Sequence, residues 1–168
     1  ITKHTLKPVF SCACENIDDL KKKYNLEKYI LLFPFCSIDL PHKKWPYYND
    51  LIKIIKANHK DLDFAIAPDK TEIQEAKKIN AKLVTNRNEP LNIMELSGLI
   101  KKSFFVISND TGPAHMAAHL GMKGVALFGS HTTSKKVSIE TENFKTISVK
   151  KLQDLSPETV YFSIKNYL

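Results

Sequence analysis

Short, unbroken apolar runs recur along this chain. Tyr29-Ile-Leu-Leu-Phe33, Phe64-Ala-Ile-Ala67, Phe104-Phe-Val-Ile107 and Gly124-Val-Ala-Leu-Phe128 are too short for helices and do not alternate with polar residues. That pattern fits parallel strands buried on both faces. Pro34, Pro68 and Gly129 close three of the runs. Lys82-Leu-Val84 and Phe144–Val149 are weaker strand candidates. Between the runs, apolar residues recur at helical spacing. Leu51, Ile52, Ile54 and Ile55 follow Pro46, which is read as a first-turn residue. Thr71–Ile79, Leu91–Ile100 and Ala114–Leu120 are further helices, the last stopped by Gly121. Ser156-Pro-Glu opens a final helix through Val160, Ile164 and Leu168, with Ser as N-cap and Pro in the first turn. Residues 1–28 show no sustained period and read as a lead-in or linker, with Asp18–Tyr24 as a short helix candidate. Residues 29–168 form the expected domain. Strands alternating with helices define an α/β fold, here a Rossmann-like, doubly wound parallel sheet of about six strands.

Composition narrows the function. The 168 residues, 43% hydrophobic and 26% charged, support one domain with a real core rather than a disordered chain. No apolar stretch approaches the roughly 20 residues of a membrane span. The formal net charge of +7 comes almost wholly from lysine, with Arg87 the only arginine. Nucleic-acid readers favour Arg for bidentate contacts, so no nucleic-acid partner is expected. Cys12, Cys14 and Cys36 fit neither a disulfide framework nor a zinc pattern and read as reduced thiols of a cytoplasmic protein. His115 and His119 have the spacing of a zinc pair but lack a third ligand, so no metal site is expected. The chain contains no G-x-S-x-G, no P-loop and no G-x-G-x-x-G. It begins with Ile1 and shows no signal-peptide pattern, which sets the expectation that another segment precedes it.

Doubly wound sheets bind ligands at the carboxyl ends of their strands, where strand order reverses. In the order 3-2-1-4-5-6 the reversal falls between the first and fourth strands. The loops after those strands carry the unusual residues. After the fourth comes Ser108-Asn-Asp-Thr-Gly-Pro-Ala-His115. Gly112 allows close backbone approach, Thr111 offers a hydroxyl and an N–H, and Asp110 or Thr111 can cap the helix. That helix aims its free N–H groups at an anion, with His115 near enough to add a donor. After the first strand, Ser37 and either Lys43 or Lys44 can reach a phosphate. Trp45 reads as packing. After the second strand, Glu72 or Asp69 can accept from ribose hydroxyls, and Leu91 can wall a base. Each feature alone also has an ordinary structural explanation. Their convergence on one switch point favours an anionic ligand.

Asn109-Asp-Thr-Gly-Pro-Ala-His-Met-Ala-Ala118, followed by Gly121 and Val125-Ala-Leu-Phe-Gly129, resembles the signature of the family 9 glycosyltransferases. Pro34-Phe-Cys-Ser37 with Lys43-Lys-Trp-Pro46 is similar to that family's P-G-x-S…K-x-W-P segment, with Phe35 in place of the glycine and two extra residues before Lys43. Ser130-His-Thr-Thr133 stands where relatives often have P-T-D-P. The resemblance covers residues 28–130 well and 131–168 loosely. It implies the C-terminal, donor-binding half of a GT-B fold and an inverting transfer from a nucleotide-sugar such as ADP-heptose. Carried over by position, Ser37, Lys43, Thr111, Gly112 and His115 would serve the donor phosphates. Asp110 would orient the sugar or cap the helix, Glu72 would take the ribose, and Leu91 would flank the base. No cofactor or metal is implied. The implied partners are a nucleotide-sugar, a lipid-linked or lipopolysaccharide acceptor, and an N-terminal domain of the same protein that supplies the general base. The implied location is cytoplasmic, with peripheral contact at the bacterial inner membrane. A nucleotide-sugar epimerase or hydrolase, and a non-catalytic nucleotide-binding module, are the alternatives.

Overall fold

The computed structural model describes residues 14–36, 40–130 and 132–168. The strands are β1 (Tyr29–Phe33), β2 (Asp63–Ile66), β3 (Lys82–Leu83), β4 (Phe105–Asn109), β5 (Gly124–Phe128) and β6 (Phe144–Ser148). The helices are α1 (Asp18–Tyr24), α2 (Tyr48–Asn58), α3 (Ile73–Ala76), α4 (Ile93–Lys102), α5 (Gly112–His119), α6 (Ser134–Val137) and α7 (Pro157–Ile164). The sheet order is β3-β2-β1-β4-β5-β6, and every pairing is parallel. This is the expected doubly wound architecture, with the reversal between β1 and β4.

Unbroken apolar runs arise because both sheet faces are covered. In β1, Ile30 and Leu32 point into one core with Trp45, Leu51 and Ile55 of the α2 side and Val160 and Ile164 of α7. Tyr29, Leu31 and Phe33 point into the other, with Leu99 of α4 and Ala114 and Ala117 of α5. All five β1 residues are buried. β6 is an edge strand, and only Phe144 of its five residues is buried.

Element boundaries differ from the sequence expectation for identifiable reasons. β4 extends beyond Ile107 through Ser108 and Asn109. These polar residues remain in the ladder because their side chains find partners inside the protein. α2 begins two residues after Pro46, at Tyr48, so Pro46 is not in its first turn. The expected Thr71–Ile79 helix contracts to α3, and tight turns close at Lys78 and Ile79 behind it. α4 starts at Ile93 rather than Leu91 because Asn92 and Glu95 form a reciprocal capping box. α5 starts two residues early, at Gly112. Ser156 caps α7 through Thr159 N–H at 3.2 Å, as its sequence predicts.

Residues 14–28 lie against the second core. Ile17 and Leu26 are each 1% exposed. Glu15 N–H donates to the Met94 carbonyl at 3.1 Å. Among the described residues no helix is long and apolar enough to cross a membrane.

Candidate functional site

A cleft of about 510 Å³ opens at the carboxyl ends of β1, β2 and β4. Its walls come from each loop that the sequence singles out. Phe35, Cys36 and Lys43 follow β1; Asp69 and Glu72 follow β2; Asp110, Thr111 and Gly112 follow β4; Leu91 precedes α4. The parallel ladder aligns Phe33 with Ser108, so the β1 and β4 loops emerge side by side.

Lys43 and Asp110 meet across this junction at 2.9 Å. Both are largely sequestered, with side-chain exposures of 20% and 7%. Water screens such a pair far less than a surface one. His115 Nε2 lies 3.8 Å from the other Asp110 oxygen. Asp110 therefore sits between two cationic or potentially cationic groups and does not present a free base. Lys44 is turned away: it pairs with Glu75, and its Nζ lies 5.3 Å from the Phe35 ring centre. Of the two lysines that residue spacing left open, Lys43, the one the family resemblance names, lines the cleft.

Thr111 is the N-cap residue of α5, but its side chain caps nothing. Its hydroxyl instead lies 3.2 Å from Ser108 Oγ. Gly112 lies in the first turn with Pro113, and a Cβ there would meet nothing within 4 Å. The glycine therefore has open space beside it. It leaves the cleft wall low beside the first free N–H groups of the helix. Those N–H groups and the helix dipole favour an anion at this point.

Glu72 accepts from the Asp69 N–H at 2.9 Å. Burial pushes its carboxyl above the usual carboxylate range, and the nearby Asp69 and Glu75 carboxylates add to the rise. Asp69 and Glu72 both line the cleft, so their alternative stays open. Leu91 lines it beside Pro90 and Leu96. His115 instead lines an adjoining apolar groove with Ile93, Met94 and Met116. Ser37 lies outside the described residues. Among the described residues, no three His, Cys, Asp or Glu side chains gather as metal ligands.

Sequence reasoning assigned no role to Asn109. Its side chain is completely buried at the end of β4. Nδ2 donates to the Pro34 carbonyl at 2.7 Å. Oδ1 accepts from Tyr48 Oη–H at 3.1 Å and from Trp45 N–H at 3.4 Å. Burial drives the Tyr48 phenol well above its ordinary pKa, so it remains a neutral donor. The available signal was an amide side chain directly after an apolar strand, where a buried polar group needs partners. Trp45 is the expected packing residue, 1% exposed, and its indole N–H donates to the Leu155 carbonyl at 2.8 Å.

The fold and cleft define a Rossmann-like, GT-B-like α/β domain with a cationic side chain and a helix N-terminus converging at the switch point. The chain belongs to glycosyltransferase family 9 (heptosyltransferase), whose model matches residues 1–158. It is 31% identical over 109 residues to the lipopolysaccharide core heptosyltransferase OpsX of Haemophilus influenzae, covering 62% of this chain and 31% of that protein. Its fold matches E. coli heptosyltransferase WaaC with ADP-2-deoxy-2-fluoro heptose at a TM-score of 0.75 and 15% identity, covering 99% of this chain and 51% of that one. E. coli ADP-heptose LPS heptosyltransferase II matches at 0.73 and 16% identity, covering 89% and 50%. The chain thus spans about half the length of these structures and a smaller share of the curated relative.

Proposed function

We propose that this chain is the C-terminal, donor-binding half of an inverting GT-B glycosyltransferase. It would transfer a sugar, with heptose the leading candidate, from a nucleoside diphosphate to a lipopolysaccharide-type acceptor. The observation that carries the reading is that Lys43 reaches across the β1/β4 reversal to Asp110, just ahead of the α5 N-terminus, with both loops lining one cleft. Family membership and the ADP- and ADP-heptose-related names of the similar structures support the donor class.

In the proposed reaction the acceptor hydroxyl loses its proton to a base outside this chain. Its oxygen bonds to the sugar's anomeric carbon from the face opposite the diphosphate. The carbon–oxygen bond to the diphosphate breaks, and that oxygen leaves with the electron pair. Lys43 and the N–H groups at Thr111 and Gly112 stabilise the charge growing on the diphosphate. Ser37 and His115 are proposed as further donors, with His115 acting from the rim. Asp110 holds Lys43 in place and faces the sugar. Glu72 takes the ribose, and Leu91 flanks the base. The reaction so drawn uses no metal. Its lipid-borne acceptor would bring the lysine-rich protein to the cytoplasmic face of an anionic membrane.

Titration calorimetry with ADP, UDP and GDP tests the donor reading. Binding of one of the three is expected, and Lys43→Ala should weaken it about tenfold or more, the value of a charged hydrogen bond. If none of the three binds, the reading fails.

A further inference from the structure

The two halves of the proposed phosphate site belong to different loops, and the β1–β4 ladder stops short of both. Its last register pair is Phe33 with Ser108. Beyond it, among the described residues, the fully buried Asn109 carboxamide links the two loops. Its partners, Pro34, Trp45 and Tyr48, all belong to the segment that leaves β1 and returns in α2. Pro34 lies at the start of that segment, and Trp45 and Tyr48 lie at its end. Lys43 sits two residues before Trp45, and its Nζ reaches Asp110, the residue after Asn109. One side chain therefore clamps both ends of the Lys43 segment to the strand that carries Asp110, Thr111 and Gly112.

The chemistry of the clamp requires an amide. The Pro34 carbonyl needs a donor, while Trp45 N–H and Tyr48 O–H need an acceptor. A carboxylate would face the Pro34 carbonyl with a lone pair, and an apolar residue would take away the partner of the Pro34 carbonyl and the Trp45 N–H and leave Tyr48 only its 3.4 Å contact to the Phe33 carbonyl. The adjacent Ser108 hydroxyl donates to the Asn109 carbonyl at 2.6 Å, which fixes the backbone from which the amide projects.

We infer that Asn109 is the positioning residue of the donor-phosphate site, setting the reach of Lys43 to the α5 N-terminus. This rests on the donor-binding reading above. Asn109 touches no donor atom itself and acts through Lys43.

The test is a double-mutant cycle on the full chain, with ADP as ligand and calorimetry performed well below each variant's melting temperature. The variants are Asn109→Ser, Lys43→Ala and their combination. Asn109→Ser is expected to weaken ADP binding about tenfold, close to the loss from Lys43→Ala. The combined variant should bind no more weakly than Lys43→Ala alone, because the clamp acts through that lysine. A merely structural role would lower the melting temperature while leaving ADP affinity intact, or would make the two losses additive; either result overturns the inference. Tyr48→Phe, which keeps the ring and removes one partner of the amide, covers the case of an unfolded Asn109 variant. A few-fold loss of ADP affinity is then expected, and unchanged affinity overturns the inference. If the parent chain binds UDP or GDP in place of ADP, the cycle is run with that nucleotide; binding of none of the three overturns the donor reading and this inference with it. Binding by the parent with no effect of the Asn109 variant overturns the inference alone.

Discussion

Glu72 illustrates how a carboxylate lining the cleft can work against stability. Burial raises its carboxyl pKa in the folded protein, and two neighbouring carboxylates add to the effect. The native state therefore binds the proton more tightly than the unfolded chain does. Stability is greatest while the group is protonated, below its unfolded pKa, and declines as pH rises through the folded value. Glu72→Gln should raise the melting temperature at pH 7, with the gain shrinking toward pH 4. If Glu72 accepts from the ribose, the same variant should weaken nucleotide binding. A thermal melt and a calorimetric titration at both pH values check the two outcomes. The Lys43–Asp110 contact shows what sequence leaves undecided at this scale. Residue spacing placed two adjacent lysines equally within reach of a phosphate, the family resemblance singled out Lys43, and in the structure Lys44 pairs with Glu75 while Lys43 pairs with Asp110. Asn109 was invisible as a clamp because its partners lie 61 to 75 residues away in sequence.

Among the elements, α4 carries the clearest constraint. Its N-terminus is capped reciprocally by Asn92 and Glu95, while Gly98 gives the chain before α1 room to pass. A Cβ at Gly98 would fall 2.3 Å from the Glu15 carbonyl oxygen and 2.9 Å from Ile17 Cγ2. Ala is the better helix former by up to about 1 kcal/mol. Backbone overlap should nevertheless dominate, so Gly98→Ala is expected to destabilise by about 1–3 kcal/mol, measurable by urea denaturation. The types and order of the strands and long helices were legible because apolar runs and helical spacing are local signals. Their ends were less legible. β4 gained two polar residues whose partners are remote, and α3 lost residues to turns that hydrophobic spacing does not encode. The α5 start shifted to Gly112, two residues ahead of the expected helix, with Pro113 in its first turn.

At the scale of the molecule, residues 14–28 precede the first strand yet contribute to its core. Ile17 and Leu26 are buried against the face shared by α4 and α5. Starting the chain at residue 29 would remove both side chains, each worth roughly 1.5–3 kcal/mol of burial. Such a truncation should melt at a much lower temperature or aggregate, whereas a start at residue 14 retains these contacts; calorimetric melts of the two distinguish them. The alternation of apolar runs and helical segments by itself determined a doubly wound sheet, because strands buried on both faces need helices on both sides. Together with the Asn109–Ala118 block, it also located the candidate site at the β1/β4 reversal. Only the tertiary structure decided that Lys44 turns to Glu75 while Lys43 holds Asp110, that His115 lines an adjoining apolar groove, and that Asn109 joins the two loops. These outcomes depend on which side chains meet across distant loops, and local periodicity carries no record of those distances.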